Sequence, residues 1–115
     1  MRRGDVYLVD LDPARGSEAN KARPAVIVSN DAANRSADRA GRGVLTVVPV
    51  TSNTARVYPF QVLLKAADCG LRRDSKAQCE QVRSVAVERL LHRVGSLPSH
   101  VLADIDAALR RHLAL

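Results

Sequence analysis

Residues 16–30 read GSEANKARPAVIVSN: a polar loop that turns through Arg23-Pro24 directly into an apolar run, Ala25 to Val28. A short β-branched run of this kind, bounded by turn residues, predicts a buried strand. Proline suits its first position, where no ladder hydrogen bond is lost. The residue before a proline is biased toward an extended backbone, so Arg23 is aimed away from the turn. Residues 47–53, VVPVTSN, repeat the plan in reverse, an apolar run that ends in hydroxyls and an amide. If the two strand ends lie side by side, Glu18, Arg23, Thr51 and Ser52 meet at one rim, and that rim is the expected working site.

Outward from this pair, Val6 to Leu11 predicts a first strand that stops at Asp12-Pro13. Asn30 to Arg42 shows no apolar periodicity and reads as a surface loop with at most a short helical turn. Val44 to Val50 predicts a third strand, and Pro49 within it argues for an edge. After a polar loop from Thr51 to Tyr58, Phe60 to Leu64 forms a fourth strand, and Asp68-Cys69-Gly70 a turn. Ser75 to Ala86 is mixed and reads as strand; Leu90 to Val94 is a last short one before Gly95. At the C-terminus Ser99, after Pro98, is the expected N-cap of a helix. Its apolar stripe is Leu102, Ile105, Leu109 and Leu113. Many short strands and one terminal helix imply a mainly β fold, a small, strongly bent sheet or barrel closed by that helix.

A chain of 115 residues fits one domain, here spanning 1–115. It buries roughly 60% to 70% of its unfolded surface, enough for a modest core without disulfide or metal staples. Hydrophobic residues at 46% and charged residues at 26% are an ordinary globular composition rather than a disordered one. No apolar run approaches the ~20 residues of a membrane helix. The N-terminus, with acids among its apolar residues, does not resemble a signal peptide, so the expected location is the cytoplasm. Cys69 and Cys79 are separated by nine residues with no CxxC, and read as small buried hydrophobes rather than as a redox or metal pair.

Lys and Arg total 18 against 12 Asp and Glu, a net charge of +6 that favours a polyanionic partner, nucleic acid or an acidic polypeptide. With only Tyr7, Tyr58 and Phe60 as aromatic residues, a binder resting on several stacking platforms is disfavoured. There is no Gly-rich phosphate loop, HExxH or GxSxG. RNA cleavage needs none of these, because the neighbouring 2′-hydroxyl can attack phosphorus once a base deprotonates it and the developing charge is neutralised. Glu18 is the candidate base, Arg23 the cationic clamp, and Thr51 or Ser52 the hydroxyl partners of the phosphate oxygens. Arginine, always protonated near neutrality, acts by electrostatic stabilisation rather than by giving up a proton. The bland readings stand beside these: Glu18 as a solvated acid, Arg23 and Lys21 as part of a general basic patch, Thr51-Ser52-Asn53 as a turn satisfying its own backbone. His92, His100 and His112 all fall in the last quarter and read as structural or solvated, which disfavours a two-histidine ribonuclease.

The same segments resemble the MazF/PemK family of endoribonuclease toxins. The matching stretches are GDVYLVDLDPARGSE (4–18), ARPAVIVSN (22–30), VVPVTSN (47–53), YPFQVLL (58–64) and EQVRSVAVERL (80–90), collinear over nearly the whole chain. The resemblance implies an SH3-like β-barrel, a homodimer, and cofactor-free, metal-independent cleavage of single-stranded RNA to a 2′,3′-cyclic phosphate and a 5′-hydroxyl. It also implies a MazE-like antitoxin whose acidic, flexible tail occupies the RNA groove. Transferred by position, the family's arginine before proline falls on Arg23 and its hydroxyl residue after the third strand on Thr51, with Ser52 and Asn53 adjacent. Its loop serine and acid fall on Ser17 and Glu18, Lys21 lies beside the arginine, Gln81 sits in the segment resembling the family's second rim, and Ser17, Lys21, Ser52, Asn53 and Gln81 are expected to contact RNA. The sequence departs from the family at Leu8, where many relatives carry a tryptophan, so base stacking is not expected there. The loops Asn30–Arg42 and Thr54–Val57 are expected to help select the cleaved sequence. Two other classes stay open: a non-catalytic gyrase poison of the same barrel superfamily, and a plain RNA-binding barrel.

Overall fold

In the computed structural model, which describes all 115 residues, β-branched alternation builds one antiparallel sheet with a core on each face. The strands are β1 (Asp5–Asp10), β2 (Ala22–Ile27), β3 (Val44–Thr51), β4 (Gln61–Leu64), β5 (Ser75–Gln78), β6 (Arg83–Ala86) and β7 (Leu90–Ser96). The helices are α1 (Asp31–Ala40), the single turn α2 (Ala66–Cys69) and α3 (Ser99–Leu113). Hydrogen-bonded neighbours run β4-β5-β3-β2-β1-β7, with β6 also on β3.

Because successive strand residues face opposite sides, β2 sends Val26 to one core and Ala25 and Ile27 to the other. On the first face Val6, Val26, Val48, Val50, Val62 and Leu64 pack beneath Val101, Ile105 and Ala108 of α3. On the second, Val9, Leu11, Ile27, Leu45, Val47 and Val85 pack with Ala37 of α1 and Ala19 of the β1–β2 loop.

Four expectations are corrected. The segment Asn30–Arg42 is not a loop but carries α1. The Asn30 side chain accepts from the Ala33 N–H at its start, and Gly41, left-handed at φ 66°, closes its end by donating to Ala37 and Asp38. Its buried face is only Asn34 and Ala37, so there was no apolar stripe to read. The buried Asn34 amide is engaged at both atoms: Nδ2 donates to Ser29 O at 2.9 Å and Oδ1 accepts from Ser29 Oγ. Next, β3 is not an edge but the centre of the sheet. Its first half pairs with β6 through Val47 and its end with β5 from Val50, and the fully buried Pro49 falls where one partner gives way to the other.

The third correction is at α3. Pro98, not Ser99, holds the N-cap position, and Ser99 is already helical with no side-chain cap bond. Ile105 is buried as expected and Leu102 and Leu109 half-buried, but Leu113 lies exposed, and Val101 and Ala108 complete the face instead. Last, β7 continues through Gly95 to Ser96, because α2 presses against it there. A Cβ on Gly95 would sit 2.2 Å from the Cys69 carbonyl oxygen, an approach only glycine permits.

Candidate functional site

The alternation on the second face runs out at one end of the sheet. Along β2 the residues facing that side, read backward, are Ile27, Ala25 and Arg23; along β3 they are Val47, Pro49 and Thr51. Ile27 pairs with Val47 and Ala25 with Pro49, the last pair of the two strands, with Arg23 and Thr51 each two residues beyond it on the same face. Thr51 in turn pairs with Lys76 of β5. Paired residues share a face, so Thr51 and Lys76 form a polar row across two strands, and Arg23 ends the same face of the neighbouring β2. The two connections at this end, β1–β2 and β3–β4, frame the row.

The β1–β2 loop is held from outside itself. Gln81, on the short turn between β5 and β6, accepts from the Ala19 N–H at 3.1 Å and donates to the Ser17 carbonyl at 3.0 Å. Arg23, half-buried, donates through Nε to Asn20 O at 2.8 Å and through Nη2 to Asn20 Oδ1 at 3.0 Å. Lys21 takes a left-handed backbone, φ 63°, with its N–H on Asp12 Oδ1 at 2.8 Å, and leaves its side chain in solvent. Arg83 and Arg89 donate to the Leu11, Asp10 and Asp12 carbonyls at the loop's start. Ser17 and Glu18 are exposed, and the Glu18 carboxylate accepts from the Arg15 N–H at 3.1 Å.

On the β3–β4 side, Thr51 Oγ1 accepts from the Asn53 N–H and Asn53 Oδ1 from the Ala55 N–H, both at 3.3 Å; Ser52 is exposed. This is the self-satisfied turn that the sequence allowed, and it leaves the Thr51 hydroxyl hydrogen free to donate. Arg23 thus stands at the start of β2 and Thr51, Ser52 and Asn53 at the end of β3, at the same end of the sheet, with Ser17, Glu18 and Lys21 on a loop that Gln81 ties down.

The chain's two ion pairs, Arg3–Asp106 and Arg93–Asp5, lie away from this row. No carboxylate stands within 4.0 Å of the cationic groups of Lys21, Arg23, Arg56 or Lys76, so their charge is not cancelled locally. Lys76 is the residue that sequence reasoning missed. Its strand was legible only as mixed, and its register against Thr51 has no local signal. Nowhere do three or more His, Cys, Asp or Glu side chains cluster as metal ligands would. Both thiols are free and buried in the first core. Burial first, and Glu80 second, push the Cys79 thiol up to about 12, and burial with Asp68 also raises Cys69. Such thiols stay protonated and pack as hydrophobes.

A small antiparallel-sheet protein with hydroxyls and carboxylate-free cations at one sheet end has a surface there that suits an anionic ligand. The chain is a member of the PemK-like, MazF-like toxin family of type II toxin-antitoxin systems, which it matches over residues 2–113. It is 64% identical to Endoribonuclease MazF9 of Mycobacterium tuberculosis over 115 residues, covering 100% of this chain and 98% of that protein. Among solved structures it is similar to MazF (Form-I) from Deinococcus radiodurans, with a TM-score of 0.79, 26% identity, and coverage of 100% of this chain and 97% of that one. It is also similar to an endoribonuclease in complex with its cognate antitoxin from a mycobacterial species, with a TM-score of 0.78, 26% identity, and coverage of 100% and 96%. No helix of the chain is long and apolar enough to cross a membrane.

Proposed function

We propose that the chain is the toxin of a type II toxin-antitoxin pair, a sequence-specific endoribonuclease that cuts single-stranded RNA, messenger RNA foremost, and so stops translation and growth. The observation that carries the chemistry is the pairing of β2 with β3, whose last pair, Ala25–Pro49, lies two residues from Arg23 on one strand and two from Thr51 on the other. A phosphate seated on that row meets a guanidinium and a hydroxyl donor, the two kinds of group that stabilise a phosphorane as its charge develops. A base takes the proton of the ribose 2′-hydroxyl, the 2′-oxygen bonds to phosphorus, and the 5′-oxygen leaves and is protonated. The products are a 2′,3′-cyclic phosphate and a 5′-hydroxyl, with no metal or cofactor among the reactants.

In this reading Arg23 and Thr51 stabilise the transferring phosphate and Glu18 is the base. Ser17, Lys21, Ser52 and Asn53 line the RNA path. Gln81 acts as the residue that holds the Ser17–Ala19 backbone in place, because both of its amide atoms are engaged there. The free cations at the rim suit a second polyanion equally, the acidic flexible tail of a MazE-like antitoxin, which would inhibit by occupying the RNA path. The chain works as a single domain, a homodimer in the cytoplasm with its two rims on a shared groove.

The test is incubation of the purified protein with a long single-stranded RNA in excess EDTA, beside Arg23→Ala, with mapping of the cut ends. Cuts at a short recurring sequence, cyclic phosphate ends and loss of cutting in the variant are expected. Intact RNA from the folded, antitoxin-free protein overturns the reading.

A further inference from the structure

Two of the chain's three aromatic rings stand together beside the polar row. The Tyr58 and Phe60 rings are stacked, with centroids 5.4 Å apart and planes 3° from parallel. The backbone around them is fixed from several directions. Pro59 between them locks its own φ, and the Gln61 N–H closes the turn onto Tyr58 O at 2.8 Å. The buried Gln61 side chain accepts from the Tyr58 N–H at 3.1 Å and donates to Glu80 at 2.8 Å. Lys76, only 8% exposed, spends its ammonium on the Arg56 carbonyl and lies 5.8 Å from the Tyr58 ring centroid. Arg56 meets the same ring from solvent, its Nη1 on Tyr58 Oη at 3.3 Å.

A lysine buried without a carboxylate partner costs free energy unless strong interactions replace its water. Here the cost fixes one object, a tyrosine ring that remains 41% exposed. The same Lys76 pairs directly with Thr51, so the ring is anchored by a neighbour of the phosphate row. Phe60 stacks on this ring and the exposed Arg56 guanidinium reaches over it from solvent, so a base would stack by displacing Arg56, since every base has a π face and its phosphate is anionic.

We propose that Tyr58, backed by Phe60, is the residue on which one unpaired base of the RNA stacks as its phosphate reaches Thr51, and that Lys76 is the positioning residue that sets the ring. This rests on the endoribonuclease reading for the identity of the ligand as RNA. A single platform next to the scissile phosphate would fix the register of the strand and contribute to the choice of cut site.

The experiment uses the cut site mapped with the full chain. Oligonucleotides lacking the 2′-hydroxyl at that site, hence uncleavable, carry fluorescent 2-aminopurine at each flanking position in turn. One position is expected to be quenched on binding. Tyr58→Phe keeps that quenching and binds within about twofold of the parent, whereas Tyr58→Ala loses it and binds about 5- to 100-fold more weakly. Lys76→Met, which keeps the stem and removes the charge, is expected to show partial quenching and a raised KM with kcat less affected. Absence of quenching at every position, or Tyr58→Ala binding as the parent does, overturns the platform. Should Tyr58→Ala not fold, Tyr58→Leu takes its place, with the same loss of quenching expected and parental quenching overturning the platform. Cutting at the mapped site with no quenching at any flanking position overturns the platform and leaves the nuclease reading standing, so the two fail separately.

Discussion

At the end of the sheet that carries α1, the β2–β3 connection closes its own hydrogen bonds: Asn30 and Gly41 cap the helix, and Asn34 is satisfied by Ser29 five residues away. At the other end the loops are pinned by residues distant in sequence. Gln81 reaches Ser17 and Ala19 across more than sixty positions, and Lys76 reaches Arg56 across twenty. One end is thus local structure that folds with its helix, and the other exists only once β5 and the turn after it have docked. The rim loops keep short turns of their own, Arg15 to Glu18 and Thr51 to Ala55, and take the rest of their order from elsewhere, as loops that present groups to a ligand often do.

The contrast predicts that substitutions at the rim cost activity and those at the helical end cost stability. The largest effect is expected from Arg23→Ala, with RNA cutting reduced about 100- to 1,000-fold, the loss typical of one preorganised charge-stabilising group. A folded Arg23→Ala that cuts at the parental rate would remove Arg23 from the chemistry. Gln81→Ala releases two loop contacts and is expected to lower kcat/KM about 10- to 100-fold, since small misplacements of positioning groups are costly. Its stability should fall by only about 1 kcal/mol, measured by denaturant unfolding. Asn34→Ala should invert this pattern. Unsatisfied Ser29 groups cost about 1–3 kcal/mol and lower Tm by several degrees, with cutting unchanged below the transition. If Asn34→Ala impaired cutting as much as Gln81→Ala, the division between the two ends would collapse.

The same division explains what the sequence disclosed. Strand cores announce themselves by β-branched runs, so β1 to β4 and α3 were legible, and with them the places of Arg23 and Thr51 at one end of β2 and of β3. What escaped were features whose information is not local. Helix α1 buries an asparagine and an alanine rather than a stripe, so its only signals were Asn30 and Gly41, the caps at its two ends. Pro49 looks like an edge marker until the switch of partner from β6 to β5 is known. Lys76 carries no mark of its role, since only the pairing with Thr51 brings it to the site. Tyr58 and Phe60 were visible as rings, but their stacking depends on the turn that Gln61 closes.

The smallest predicted effect tests the local end by pH. Asp31, in the first turn of α1, accepts from the Arg3 N–H at 2.7 Å. That hydrogen bond, aided by Asn34 and the charges of Arg35 and Arg2, holds its carboxyl below the ordinary value of 3.8. A carboxyl lowered in the folded state stabilises the protein above its unfolded value, and the contribution drains away as pH falls through the lower, folded one. Stability should therefore decline below about pH 4 more steeply in the parent than in Asp31→Asn, whose amide oxygen still accepts from Arg3 but does not titrate. Paired denaturation series from pH 6 to 2 would read this as a gap between the two proteins that narrows with acid. A constant gap would mean that Arg3 docks the chain's start onto α1 without help from the charge, leaving Asn30 and Gly41 to define this end of the sheet by themselves.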